Sequence, residues 1–373
     1  MVTDPSTTVS NGGDFMHDAQ ALFSRFRDIL TTYNAALADS IEADGRVPEF
    51  IAKGENTKAP RQLCQTRGII YNVHMAREFG DREAASRAVA IYRATRQHYL
   101  TPCVIDGQQA YAPAPTHDGA AMYELAFLLN AQVQLHYLGV LDDAHALDRA
   151  SLEADMSVTE DAILAIPTAS IFQPREGGDF SELNAGMHLF EAMALRLQLA
   201  DHAELRQSVN ALLAHVDNHF WDDPRGMLAE RINGQNSILE YDLGHNYEWS
   251  SLLSLNSNLG LDYRRLDAKR LASAAEEIAW REFEPEMVAF PLDADTHSLD
   301  RTARIWVSLE RIRALALAGD ERVLSVMARV LNHFFPDNLP EEYSGTRGPI
   351  KSTTGYHVIE SYVGTAHALN AYT

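Results

Sequence analysis

Apolar residues recur three and four positions apart along almost the whole chain, and strict alternation is rare, so the pattern predicts helices and few strands. Twelve such segments can be marked. They run from Phe15 to Ala38, Arg61 to Phe79, Arg82 to Tyr99, Asp118 to Leu138, Ala144 to Ile166 and Asp179 to Leu199. The series continues with Ala203 to Phe220, Leu243 to Leu259, Asp267 to Arg281, Arg301 to Ala318, Glu321 to Phe335 and Thr354 to Tyr372. Short breaks such as Gly80-Asp81, Gly139 to Asp143, Ala200-Asp201 and Gly319-Asp320 suit a helix C-cap followed by the N-cap of the next helix.

Long connections alternate with these short ones: 101–117, 167–178, 221–242, 282–300 and 336–353. The segments therefore fall into six helical hairpins, which can stack as an open solenoid or close into a ring. No fixed repeat length is present, which favours the ring. The expected fold is all-α, an (α/α)6 barrel whose long connections gather at one end around a cleft. No shift in composition marks a boundary, so residues 14–373 are expected to form a single catalytic domain. Residues 1–13 read as a disordered leader without the basic and apolar regions of a signal peptide.

Composition narrows the function classes. No run of 18 apolar residues offers a membrane span. The formal charge of −21 argues against nucleic acid and anionic membranes as partners. Only Cys64 and Cys103 are present, which makes neither a disulfide framework nor a zinc motif and points to a reducing, cytoplasmic setting.

Several polar residues sit where burial would need a reason. Asn184, His188 and Glu191 form a polar stripe on an otherwise apolar helix, and such a stripe costs stability without partners. His245 and Glu248 are three apart at the start of another apolar helix, where the carboxylate is placed to orient the imidazole. Arg67 lies among Leu63, Ile70 and Tyr71, where an unpaired guanidinium would be expensive. Tyr123 is either a hydroxyl donor or a core tyrosine, and Trp306 either stacks on a ligand or fills the core. Arg61 and Glu230 read as structural. No His/Asp/Glu cluster shows metal-ligand spacing along the sequence.

Six blocks in order carry a resemblance: RQLCQTR (Arg61–Arg67), MYELAF (Met122–Phe127), NAGMHLFEA (Asn184–Ala192), GHNYEW (Gly244–Trp249), RIWVSLE (Arg304–Glu310) and KSTTGYH (Lys351–His357). The chain resembles the N-acylglucosamine 2-epimerase superfamily, which includes mannose isomerase, sulfoquinovose isomerase and cellobiose 2-epimerase. The resemblance implies the same (α/α)6 barrel. It also implies proton transfer by His245 and His357, with His188 beside them, and a substrate wall of Arg67, Tyr123, Asn184, Glu248, Trp249, Arg304 and Trp306. An aldose–ketose isomerase of the D-mannose/D-fructose type is expected, with a 2-epimerase of a free aldose or N-acyl-hexosamine as the alternative and a glycoside hydrolase behind both. No metal or cofactor is expected; the partner is a monosaccharide, and the protein a monomer or homodimer.

Two departures bear on the substrate. Leu243-Gly244-His245 stands where the family commonly has Pro-Gly-His, and Ile232–Gly244 lacks the arginine that family isomerases often carry, with Gln235 near its place. The missing arginine lowers the case for a sulfonated sugar. Arg175 and Arg347, in the long connections, leave a phosphosugar open.

Overall fold

The computed structural model describes residues 12–51, 58–105, 107–113, 119–139, 149–174, 177–282, 292–293, 302–345 and 348–370. Its helices are α1 (Gly12–Ser40), α2 (Gln62–Phe79), α3 (Arg82–Tyr99), α4 (Gly119–Tyr137), α5 (Arg149–Leu164), α6 (Thr168–Ile171) and α7 (Asn184–Leu199). They continue with α8 (Ala203–His219), α9 (Leu243–Leu255), α10 (Ala268–Glu282), α11 (Ile305–Ala318), α12 (Val323–Phe334) and α13 (Thr354–Ala368). Each of the twelve expected segments holds one of these, and α6 is a single extra turn inside a long connection. The breaks act as read: Gly80 and Gly319 end α2 and α11 in the left-handed conformation, and the Asp81 side chain caps α3 by accepting from the amide of Ala84.

Two kinds of helix alternate. In α12 the buried residues Val323, Val326, Met327, Val330, Leu331 and Phe334 make a one-sided stripe. In α9 every residue from Leu243 to Leu253 is buried, and in α11 every residue from Val307 to Ala316. A helix apolar on one face lies against a core; one enclosed on all sides lies within it. Accordingly α2, α4, α7, α9, α11 and α13 pack each on the next, and α13 returns to α2, closing an inner ring. The helices α3, α5, α8, α10, α12 and α1 back them from outside. This is an (α/α)6 barrel, and the closure from α13 to α2 distinguishes it from a solenoid.

Because the chain passes from outer to inner helix through the long connections, these meet where the inner helices begin. Short strands occupy them. β1 (Leu100–Ile105) and β2 (Gln108–Pro113) form an antiparallel hairpin, and β4 (Trp221–Asp222) pairs with β5 (Met227–Leu228). A second sheet has the order β3-β6-β7-β8, from β3 (Phe180–Glu182), β6 (Arg231–Asn233), β7 (Ile238–Tyr241) and β8 (Leu292–Asp293). Residues 180–182, expected as the first turn of a helix, are drawn instead into antiparallel pairing with β6, so α7 starts only at Asn184.

Buried charge also ties inner to outer helices. The Arg311 guanidinium of α11, 0% exposed, donates through Nε to Glu276 Oε2 of α10 at 2.8 Å, and the Tyr247 hydroxyl of α9 donates to the same oxygen at 2.9 Å. Replacing Glu276 with Leu leaves that guanidinium buried beside no carboxylate of its own. The expected loss is about 3–5 kcal/mol of unfolding free energy, read from the midpoint of urea denaturation against the parent protein.

Candidate active site

Arg67, Tyr123, Asn184, His188, His245, Glu248, Arg304, Trp306 and His357 line one cavity of about 220 Å³. Eight of the nine lie within the first six residues of an inner helix, and Arg304 is the N-cap of α11. Helical side chains lean toward the N-terminal end of their helix, so they reach into the mouth where the long connections gather. The positive ends of six helix dipoles point the same way.

The local chain geometry holds each piece. Asp242 caps α9, its Oδ1 accepting from the amide of His245 at 3.1 Å. At Gly244 a Cβ would fall 2.5 Å from the Trp306 ring, so the glycine is what lets the indole lie on the start of α9. The indole stands between the two histidines, its centroid 5.1 Å from that of His245 and 5.6 Å from that of His357. Trp306 thus faces the cavity.

Each of these histidines is held by a carboxylate. His245 Nδ1 lies 2.7 Å from Glu230 Oε2, and His357 Nδ1 lies 2.8 Å from Glu310 Oε1. A carboxylate can only accept, so Nδ1 carries the proton and Nε2 is the atom left for chemistry. The sequence pointed to Glu248 as the orienting acid of His245 and to Glu230 as structural; the structure reverses this. Glu230 is fixed by backbone bonds, its amide donating to Glu240 O at 2.8 Å and its carbonyl accepting from Leu183 at 3.0 Å. That pairing of chain segments across the sheet has no counterpart in helical spacing.

The dyads differ in what stands behind them. Asp242 Oδ2 lies 3.8 Å from His245 Nδ1, a second negative group. Burial would push the His245 pKa down, but Glu230 and Asp242 outweigh it and lift it to about 10. At His357, burial, then Arg67, and after it His188 and Arg313, push the pKa well below the usual histidine range. Glu310 is itself paired with Arg313, Oε2 to Nη2 at 2.8 Å. Near neutral pH one imidazole is a cation and the other is bare.

Around them, Arg67 Nη2 donates to the Tyr123 hydroxyl at 2.8 Å, and its guanidinium lies 4.5 Å from the Phe127 ring centroid and 4.9 Å from that of Tyr356. His188 Nδ1 meets Glu191 Oε2 at 3.2 Å, while the Tyr356 hydroxyl donates to Glu191 Oε1 at 2.7 Å. Burial lowers the His188 pKa to about 4 against the opposing pull of Glu191. Neither carboxyl oxygen of Glu248 has a hydrogen-bond partner among the described residues, and burial, reinforced by Glu310, raises its pKa well above the ordinary value. Glu248 therefore holds a proton more tightly than an ordinary carboxyl group. Asn184 opens α7 with its Oδ1 buried and without a partner among the described residues. Arg304 lies 5.8 Å from the Trp306 ring centroid and 5.4 Å from that of Tyr343.

Other expectations change. Trp249 is 0% exposed and stacks on Phe190 with centroids 5.3 Å apart; it does not line the cavity, because it sits one turn deeper along α9 than His245. Arg61 binds Glu49 through Nε at 2.9 Å. Gln235 is exposed in the turn between β6 and β7, and Arg175 and Arg347 lie outside the described residues. Folding also creates proximities that linear spacing lacks. His188, Glu191 and Glu248 bring donor atoms within 4.8 Å of one another, as do Glu248, Glu310 and His357. Both groups coincide with the acid–base network just described.

The sequence profile of the N-acylglucosamine 2-epimerase (GlcNAc 2-epimerase) family matches residues 45–337. The chain belongs to this family. It is accordingly an enzyme of the sugar isomerase and epimerase kind. Among solved structures, the cellobiose 2-epimerase from Bacillus thermoamylovorans superposes with a TM-score of 0.64 at 16% identity, over 91% of this chain and 99% of that one. A D-mannose isomerase gives 0.61 at 14% identity, over 97% and 100%. A family 76 glycoside hydrolase (mannosidase) from Bacteroides thetaiotaomicron gives 0.62 at 9% identity, over 94% and 100%. At these identities the likeness is one of fold. No curated protein matches the sequence, and no helix among the described residues is long and apolar enough to cross a membrane.

The charge assignment of the dyads can be checked without a substrate. Glu230→Gln keeps the shape of the site and removes the nearest negative charge, so His245 should lose its proton at a pH clearly below about 10. Nitrogen-15 NMR of the imidazoles follows this directly. An unchanged His245 titration in the folded variant would contradict the electrostatic account.

Proposed function

We propose that this family member is an aldose–ketose isomerase acting on a free hexose of the mannose/fructose type. The observation that supports this most is the pair of histidines, one held as a cation and one held neutral, that flank one small cavity. Environments that drive two titrating groups apart assign one as acid and the other as base. His357 enters bare and takes the C2 proton; His245 enters protonated.

The sugar must first open its ring. His245 gives a proton to the ring oxygen and takes one back from the O1 hydroxyl, which breaks the C1 bond to the ring oxygen and exposes the C1 carbonyl. His357 then removes the C2 proton, and the electrons move into the carbonyl to give a cis-enediolate. Arg67, with its hydroxyl partner Tyr123, and neutral His188 lie where they can stabilise the oxygen charge, commonly the largest contribution to such a step. His245 then gives O1 a proton and takes the one from O2, while His357 returns its proton to C1, which yields the ketose with both histidines back in their starting states. C2 is oxidised as C1 is reduced, so the electrons balance within the substrate. Return to the other face of C2 gives the epimer instead, and the presence of two histidines keeps the 2-epimerase as the second reading.

The hydrolase reading fares worse on geometry. It needs two carboxyl groups about 5–5.5 Å or about 6.5–9.5 Å apart across the bond to be cleaved. Glu191 and Glu248 are the two acids that could serve, but Glu191 does not line the cavity and its two oxygens are taken by His188 and Tyr356.

His245→Ala and His357→Ala should each lower turnover by about 10²–10⁴-fold with the helical circular dichroism retained. Near-normal turnover in either folded variant removes that residue from the mechanism. In heavy water the product should carry solvent deuterium at C1 or C2 by mass spectrometry. Chromatography of the products from a panel of aldoses and ketoses separates the readings: a ketose from mannose supports the isomerase, and an aldose epimer alone overturns it in favour of the 2-epimerase.

A further inference from the structure

Arg313 does not line the cavity, yet it is the residue by which the two dyads differ. It sits on α11 one turn beyond Glu310 and is 1% exposed. Its Nη2 lies 2.8 Å from Glu310 Oε2 and its Nη1 3.3 Å from Glu360 Oε2, and Glu360 Oε1 in turn meets His74 Nε2 at 2.9 Å. The seat is built for it. On the facing helix α13, a Cβ at Gly364 would come within 2.9 Å of Arg313 Cγ and Cδ, so the space belongs to the arginine stem. Burying a guanidinium this completely is costly unless carboxylates receive it, and here two do. Glu230, the corresponding acid at His245, shares the Nδ1 side of that ring with the carboxylate of Asp242.

We propose that Arg313 is the positioning residue of the base: its pairing with Glu310 uses up the charge that would otherwise draw a proton onto His357, and so leaves that imidazole bare. Glu310 then orients the ring through Nδ1 without turning it into a cation. The proposal rests on the reading of His357 as the base. The other charged or titrating groups facing His357 are Arg67 from α2, His188 and Glu191 from α7, Glu248 from α9, and Tyr356 and Glu360 on its own helix. With Arg313 gone, Arg67 is the one arginine of this set left against Glu310, Glu191 and Glu360, and the balance at His357 turns negative.

The sign follows. A base must be deprotonated to act, so the acid limb of the kcat/KM profile reports its titration in the free enzyme. Arg313→Met should move that limb to higher pH by about one pH unit, a tenfold change in proton affinity, with activity lost first at low pH. Arg313→Lys keeps one charge but cannot reach both carboxylates as the fork does, and should give a smaller movement in the same direction. Glu360→Gln frees Arg313 for Glu310 and should leave the limb in place or lower it.

A merely structural arginine predicts something else: reduced melting temperatures with the acid limb unmoved. Nitrogen-15 NMR of His357 in the substrate-free protein reads the same quantity without turnover. A raised His357 titration in folded Arg313→Met, or in Arg313→Lys should the first variant fail to fold, supports the proposal; an unmoved one overturns it. If the His357 titration rises while the activity limb stays, the role of Arg313 stands and the assignment of His357 as base falls.

Discussion

A carboxylate beside an imidazole is an ambiguous signal until the second partner of the carboxylate is known. At His245 that neighbour is another acid, Asp242, and the imidazole is held as a cation. At His357 it is an arginine, and the imidazole is bare. The two contacts are nearly equal in length, 2.7 and 2.8 Å. Geometry at the first contact is therefore silent on charge, and the chemistry of the cavity depends on groups one step behind it. A buried environment sharpens the difference, because water does not average out the surplus of one sign.

The barrel is what makes such an arrangement affordable in structural terms. Six inner helices start around one mouth, so each contributes a side chain from its first turns while its remainder is enclosed by apolar neighbours. The polar groups are concentrated at one end, and the rest of α9 and α11 stays packed. Where charge does run deeper, it is matched: Arg311 by Glu276, Arg313 by Glu310 and Glu360. Those pairs sit on helices that also carry Trp306 or His357, so the supports of the fold and of the site share the same elements.

This division explains what the sequence made legible. Helical spacing is local, and all twelve helices of the barrel could be marked from it. The alternation of short and long connections gave the six hairpins. Of the cavity residues at the helix starts, Arg67, His188 and His245 were also visible, because a polar residue in an apolar helix needs a reason; His357 came only with the family resemblance, and Trp306 stayed open between ligand and core. Glu230 was not. It stands fifteen residues before His245 in an irregular connection and is placed by the β3-β6-β7 sheet, whose short strands leave only a weak trace, such as the Asn233-Gly234 turn between two apolar runs. Trp249 failed for the opposite reason. It sits in the right block and one turn on from His245, so spacing alone puts it on the cavity face, but the cavity ends at the first turns and Trp249 lies below it.

The atoms left over carry the last step. Arg67 Nε, Asn184 Oδ1 and both carboxyl oxygens of Glu248 are buried and without hydrogen-bond partners among the described residues, and all four belong to residues lining the cavity. Such groups are satisfied in most folded interiors, because each orphan costs about 1–3 kcal/mol; others, such as Trp249 Nε1 and Asn130 Oδ1, lie elsewhere in this protein, but these four belong to the lining of one space. A stability argument alone would replace them. They make sense as the complement of a ligand that brings both donors and acceptors at close spacing, which is what the hydroxyl groups of a sugar offer. A neutral Glu248 fits that role better than an ionised one, since a carboxylic acid can donate to one hydroxyl and accept from the next. The raised proton affinity of Glu248 also works against a third negative charge in the region between His188 and His357. The wall can then bind a polyol while His357 stays bare.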